Sequence, residues 1–174
     1  MQVRFFFFLL LFSSKLLAQQ NDFPSKWEGE WQGTLQWFKT GSDTAINVEM
    51  KLNIQKGDSA DSWNWQLIYG QNNADNRPYK LIQKDKQGTH WVIDERNGIV
   101  LDQYWVGDKL CGAFTVMNST IINNYRMEEG HIIVEFYSIG SKPITTTGKG
   151  DDDVPYVNSY WVGSYQKAVL SRVK

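Results

Sequence analysis

The sequence predicts an all-β protein, an antiparallel up-and-down meander of about eight to ten strands closed into a barrel. Short runs rich in Trp, Tyr, Val, Ile and Thr follow one another from Glu30 onward, and glycine or asparagine turns separate them at nearly regular intervals. No long stretch has the apolar spacing of a helix, which excludes a parallel α/β fold because its crossovers need helices. The four prolines fall outside these runs or at their edges, where a missing amide donor does no harm.

The first 18 residues have the features of a secretory signal peptide. Arg4 precedes an apolar run over residues 5–12, and the small residue Ala18 offers a cleavage position. A membrane anchor is the alternative, but the run is far shorter than the roughly twenty apolar residues of a spanning helix. We therefore expect a signal peptide over residues 1–18, a single domain over residues 19–174, no membrane span, and a periplasmic or secreted location.

The net charge and the cysteine content of the mature chain bear on its partners and on the source of its stability. Removing Arg4 and Lys15 from the 18 basic residues leaves 16 against 19 acidic ones, a net charge of −3 that argues against a nucleic-acid partner. Cys111 is the single cysteine, so no internal disulfide can form and stability must come from packing.

The strands can be assigned in order from the turns between them. The first opens at Gly29-Glu30-Trp31, and the second covers residues 44–55, where apolar and polar residues alternate. Alternation places one set of side chains on each face of a strand. We therefore expect these residues of the second strand to point inward and to be largely buried: Ile46, Val48, Met50, Leu52 and Ile54.

The later strands are assigned from the turns that separate them, of which Asn97-Gly98 has the strongest sequence signal. Asn97-Gly98 predicts a type I′ hairpin, because both central residues of that turn need positive φ, and it joins residues 91–95 to residues 99–106. The next strand covers residues 110–117, and the last covers residues 157–172. Residues 140–155 form a loop that is long enough to be a lid over a barrel mouth.

Closing the meander into a barrel pairs its first and last strands, so neither is left as an exposed edge. The Gly29-Glu30-Trp31 segment resembles the Gly-x-Trp signature of the calycin superfamily, which includes lipocalins and fatty-acid-binding proteins. In those families the tryptophan closes one barrel end beneath an arginine of the last strand, and Arg172 stands in the matching place. The resemblance implies that Arg172 lies close to the Trp31 ring and that the first and last strands are adjacent. It does not extend to a ligand, because the last strand lacks the Arg-x-Tyr clamp of fatty-acid-binding proteins.

A barrel of about ten strands leaves a lumen that can hold a ligand. The chain has 8 Trp and 8 Tyr that could line such a lumen, and several strands carry polar residues on both faces. Polar side chains that point inward need a partner or a ligand, so the mixed faces indicate a wet cavity. The predicted ligand-binding residues are Trp63, Trp65, Tyr69, Gln103, Tyr104, Tyr125 and Arg126.

These features predict an exported barrel that encloses a small, largely apolar or amphipathic ligand and uses no cofactor. An enzyme that uses the same lumen, such as an isomerase, cyclase or hydrolase, is one alternative, although no converging acid and base is visible. A carbohydrate-binding β module with exposed tryptophans is another. His90 and His131 are the only histidines and lack the spacing of a metal site, and a haem-binding barrel with one axial histidine is a third alternative.

Overall fold

The computed structural model describes residues 23–174, so the expected signal peptide lies outside the described residues. A one-turn 3₁₀ helix, Ser25–Trp27, precedes the first strand, and a second one, Gln71–Asn73, follows the third. All other regular structure in this part of the chain is β-strand. Neither helical turn is long and apolar enough to cross a membrane.

Ten antiparallel strands form one closed sheet. In chain order they are β1 (Gly29–Lys39), β2 (Ile46–Lys56), β3 (Ser62–Tyr69), β4 (Asp75–Gln83), β5 (His90–Asp94), β6 (Val100–Val106), β7 (Lys109–Val116), β8 (Ser119–Glu128), β9 (His131–Thr147) and β10 (Val157–Arg172). Each strand pairs with its sequence neighbours, and β1 also pairs with β10. The predicted up-and-down barrel is therefore confirmed.

The barrel closes where β1 meets β10, and Trp31 lies opposite Arg172 at that seam. The guanidinium carbon of Arg172 is 4.3 Å from the Trp31 ring centroid. Arg172 also donates hydrogen bonds to the backbone carbonyls of Glu28 and Lys26. Gly29 has a φ of +135°, and a Cβ there would lie 2.3 Å from Nη1 of Arg172. The expected contact between Trp31 and Arg172 is present, and glycine at position 29 leaves room for it.

The two faces of β2 follow the predicted alternation over most of its length. Met50, Leu52 and Ile54 are fully buried, and Val48 is half-buried. Ile46 is 46% exposed, so its expected burial is wrong. Ile46 is the first residue of β2 and pairs with Trp37 near the end of β1, beyond the packed part of the core.

Two prolines lie inside strands, which corrects the expectation that all four would lie outside them or at their edges. Pro78 is in β4, whose pairing with β5 begins only at Lys80. Pro143 is in β9, whose pairing with β8 ends at Gly140. Each proline therefore lies where one side of its strand has no neighbour, and there a missing amide N–H costs no ladder bond.

The first half of the segment predicted as a loop over residues 140–155 is strand. β9 continues to Thr147 and β10 begins at Val157, so only residues 148–156 connect them. Residues 145–147 pair with residues 157–159 as a two-stranded arm beyond the barrel wall. Isoleucine and threonine favour extended pairing, which explains why residues 144–147 continue β9 although the segment looks polar.

The hairpin between β5 and β6 forms at Asn97-Gly98 as predicted, but its turn is not type I′. Positive φ angles fall on Arg96 and Gly98 instead of on Asn97. The Asn97 side-chain oxygen accepts a hydrogen bond from the Ile99 amide at 2.9 Å. The side chain of Asn97 therefore stabilises a longer turn, as asparagine often does.

Candidate functional site

An aromatic cluster seals one end of the barrel. Phe23 precedes the first 3₁₀ turn and lies at the centre of this closing cluster, with ring centroids 4.8 Å from Trp27, 5.0 Å from Trp91 and 4.9 Å from Trp105. The Trp31 indole N–H donates to the Trp27 carbonyl at 2.8 Å. Buried aromatic rings contribute large apolar area, so this end is packed solid.

The other end of the barrel opens into a lumen cavity of about 670 Å³. Its walls are mainly apolar and come from strands all round the barrel: Leu35, Val48, Leu101, Phe114, Ile121 and Phe136. A deeper extension of about 80 Å³ shares several of these walls and ends at Gln103, Asn123 and Tyr125. The volume is in the range of small-molecule sites, which combine apolar walls with a few polar groups.

The floor of the lumen cavity is connected to the closing cluster by aromatic contacts. Trp65 is fully buried, and its ring lies 6.4 Å from Phe23 on one side and 5.2 Å from Tyr125 on the other. Tyr125 in turn packs edge-on to Phe136 at 6.0 Å. Burial raises the pKa of the Tyr125 hydroxyl well above its ordinary value, so this group stays neutral on the cavity floor.

Two charged side chains line the mouth of the lumen cavity, Arg77 on β4 and Glu95 after β5. Arg77 donates three hydrogen bonds to Asp75, from Nε at 3.0 Å to each carboxylate oxygen and from Nη2 at 2.6 Å. These bonds hold the pKa of Asp75 below its usual range. Arg77 also lies over the Tyr69 ring at 5.0 Å. Because Asp75 engages it so closely, Arg77 does not present a free positive charge to the lumen.

Burial raises the pKa of Tyr69 to about 12, although Arg77 opposes the shift. Burial also raises the pKa of Tyr79, the next inward residue of β4 after Arg77. Both phenols therefore stay protonated in neutral solution and act as hydrogen-bonding groups. Together with Tyr125, three protonated tyrosines therefore line the lower part of the cavity.

The structure brings three of the seven predicted ligand-binding residues together: Tyr69, Gln103 and Tyr125 line the cavity. Trp65 lies directly beneath its floor, in contact with Tyr125. Trp63 lies at the closed end, where its indole N–H donates to Glu28 at 3.0 Å and its ring packs on Trp91.

The last two predicted residues lie on the outer face of the barrel. Tyr104 is 51% exposed and stacks on His90 at 4.9 Å. Arg126 donates to Glu135 at 2.7 Å and to Glu128 at 2.9 Å. Each is next in sequence to a residue that points inward, Gln103 or Tyr125, and alternation sends neighbours to opposite faces.

Sequence reasoning missed Arg77, Glu95, Phe114 and Phe136 as cavity residues. Arg77 and Tyr79 flank Pro78, and a proline argues against a strand, so the alternation of β4 carried no usable signal. Phe114 and Phe136 could have been proposed from the same alternation that indicates Leu110 and Val134 as core residues.

Neither His90 nor His131 lines the lumen cavity. His90 is hydrogen-bonded to Asp102 at 2.7 Å on the outer face, and His131 contacts the Glu129 carbonyl at the turn before β9. Within residues 23–174, no group of three or more His, Cys, Asp or Glu side chains is placed to hold a metal ion.

The chain matches no protein-family model, and no curated protein sequence is significantly similar to it. The closed barrel and its lumen cavity are therefore the basis for any functional conclusion.

Proposed function

We propose that this protein is an exported binding protein that encloses a small, largely apolar molecule in its barrel. The observation that carries the proposal is the lumen cavity of about 670 Å³, apolar along its walls and open at one end only, because the closing cluster fills the other end. A pocket of this kind buries most of the surface of a small ligand. Export is proposed from the N-terminal segment, which is typical of a cleaved signal peptide.

The contact of Arg172 with Trp31 also supports this reading. A tryptophan near the start of β1, covered by an arginine at the end of β10, is similar to the closed end of calycin barrels. Calycins bind small apolar molecules in their lumens, so the resemblance and the cavity favour the same function. The apolar walls supply affinity through burial, at about 25 cal/mol for each Å² of apolar surface removed from water.

The proposal is tested by filling the cavity. Val48 lines the lumen and is half-buried, whereas Val169 on β10 is 47% exposed on the outside. We expect the neutral apolar dye N-phenyl-1-naphthylamine to bind with enhanced fluorescence, and Val48→Trp to weaken that binding at least about tenfold by occupying its space. Val169→Trp adds the same ring on the outer face and is expected to leave the affinity unchanged.

Failure has a clear signature. If the dye does not bind, or if Val48→Trp and Val169→Trp weaken it equally, the lumen is not a binding site for apolar molecules. Circular dichroism of both variants checks that the β structure is retained.

A further inference from the structure

Two buried amides meet at the floor of the lumen cavity. Gln103 on β6 and Asn123 on β8 flank β7 and reach toward each other across Gly112. Nδ2 of Asn123 donates to Oε1 of Gln103 at 2.7 Å, and Nε2 of Gln103 lies 3.5 Å from Oδ1 of Asn123. A Cβ at position 112 would lie 2.3 to 2.6 Å from these amide atoms, so only glycine leaves room for the pair.

The hydrogen-bonding capacity of this pair is only partly used. Each primary amide has two N–H groups and an oxygen with two lone pairs, so the mutual bonds leave one N–H and one lone pair free on each side chain. The other described residues make no hydrogen bond to either amide. Gln103 is fully buried and Asn123 is 3% exposed. Unused hydrogen-bonding capacity is costly in a buried site, and here both amides line the deep end of the cavity.

The charges around the cavity favour a neutral partner for these amides. Among residues 23–174, Arg77 and Glu95 are the only charged residues in the cavity lining, and Asp75 neutralises Arg77. Lys39, at the mouth end of β1, lies 5.0 Å above the Trp37 ring. Arg77 with Asp75, and Lys39 with Glu95, give these four side chains no net charge. An ionised ligand group at the floor would lose its hydration without meeting an opposite charge there.

We propose that Gln103 and Asn123 recognise one neutral hydrogen-bonding group, a hydroxyl, carbonyl or amide, on the inner end of an otherwise apolar ligand. This inference rests on the proposed function, because it assigns the chemical class of the molecule in the same lumen. The apolar walls hold the body of the ligand, and the amide pair fixes which end enters first. A hydroxyl suits the pair well, since it can donate to a free lone pair and accept from a free N–H.

Four probes that share one skeleton separate the ligand classes: 4-butyltoluene, 4-butylbenzyl alcohol, 4-butylbenzoate and 4-butylbenzylammonium. Their affinities are measured by displacement of N-phenyl-1-naphthylamine. We expect the alcohol to bind more tightly than the benzoate and the ammonium. In the double variant Gln103→Met/Asn123→Leu, the ratio of alcohol affinity to hydrocarbon affinity is expected to fall about tenfold, the effect of a lost hydrogen bond. Dye affinity is expected to stay within about twofold.

A matched control uses a similar amide pair on the outside of the barrel. Nδ2 of Asn53 on β2 donates to Oε1 of Gln66 on β3 at 3.0 Å. The double variant Asn53→Leu/Gln66→Met removes the same atoms without touching the lumen, and it should leave the affinity ratio unchanged. Replacing both partners of an amide pair by apolar groups of similar shape is close to neutral for folding, and here the exposed bond from Gln66 to Asn76 at 2.9 Å is lost as well.

A measurement on the unaltered chain does not depend on any variant. In ¹⁵N-labelled protein, the side-chain amide resonances of Gln103 and Asn123 should shift on addition of 4-butylbenzyl alcohol and move much less with 4-butyltoluene. Three results would each overturn the inference: the benzoate binds most tightly, the affinity ratio is unchanged in the Gln103→Met/Asn123→Leu variant, or the amide resonances do not respond to the alcohol. If the dye still binds in such a case, the proposed function stands. Absence of all dye binding would remove both.

Discussion

Glu135 is a carboxylate that two neighbouring side chains hold on the outer face of the barrel. Its Oε1 accepts from the Tyr165 hydroxyl at 2.7 Å and its Oε2 from Arg126 at 2.7 Å, with 17% of its side chain exposed. Burial alone would raise the pKa of Glu135, but the two hydrogen bonds together with the positive charges of Arg126 and Lys167 leave the pKa below its ordinary value. Ionised Glu135 therefore stabilises the folded state.

We expect Glu135→Gln to lower the free energy of unfolding at pH 7 by about 1.5 to 3 kcal/mol, the range for hydrogen bonds to a charged group. A depressed pKa contributes stability that is complete above the ordinary glutamate pKa and is lost as the pH falls through the lower folded-state pKa. The difference between variant and wild type should therefore shrink on acidification. Urea denaturation from pH 7 down to pH 3 measures it.

Glu49→Gln is the control, because Glu49 pairs with Lys51 at 3.5 Å on an exposed surface. Exposed pairs contribute about 0 to 1 kcal/mol, so this change should be small at every pH. A Glu135→Gln effect that is constant across the acid range would contradict the role of its charge.

The strand β2 shows how strictly its two faces are separated. Leu52 is fully buried, whereas Lys51 next to it is only half-buried and is hydrogen-bonded to Asn73 at 3.2 Å. Leu52→Asp places an unpaired carboxylate in the core and should prevent folding. Lys51→Asp loses only surface contacts and should cost about 1 kcal/mol or less. Thermal denaturation of the two variants compares them, and similar losses would mean that the faces of β2 are assigned wrongly.

The same strands explain what the sequence could and could not predict. β2 has one apolar and one polar face, so its inward residues follow from alternation, and so does its place in a barrel of antiparallel hairpins. β6 and β8 carry polar residues on both faces, and there Gln103 looks no different from Tyr104, or Tyr125 from Arg126. Pairing with β7 fixes which residues of β6 and β8 point inward, and Gly112 of β7 leaves space for two amides. That pairing is a property of three strands together, which no single strand reveals.

At the scale of the whole molecule, closure of the barrel depends on one seam, the pairing of β1 with β10. β1 pairs with β2 through a short turn, but its pairing with β10 joins residues at opposite ends of the described chain, such as Trp31 and Arg172. Bringing distant segments together costs more chain entropy than closing a short hairpin. Specific contacts at this seam therefore decide whether the sheet closes or leaves two open edges.

Arg172 provides the most specific of these contacts, since it covers the Trp31 ring and bonds to the carbonyls of Glu28 and Lys26. We expect Arg172→Met to lower the free energy of unfolding by about 0.5 to 2 kcal/mol, the range of one cation–π contact. Amide hydrogen exchange should quicken along β1 and β10 and change little in β5, β6 and β7, because those strands pair only with their sequence neighbours. Ser171→Ala, next to Arg172 on the same strand, exposed and paired with Gln32 instead of Trp31, serves as the control. Equal acceleration in all ten strands would contradict a role at the seam, since it would mean that Arg172 stabilises the barrel only as a whole.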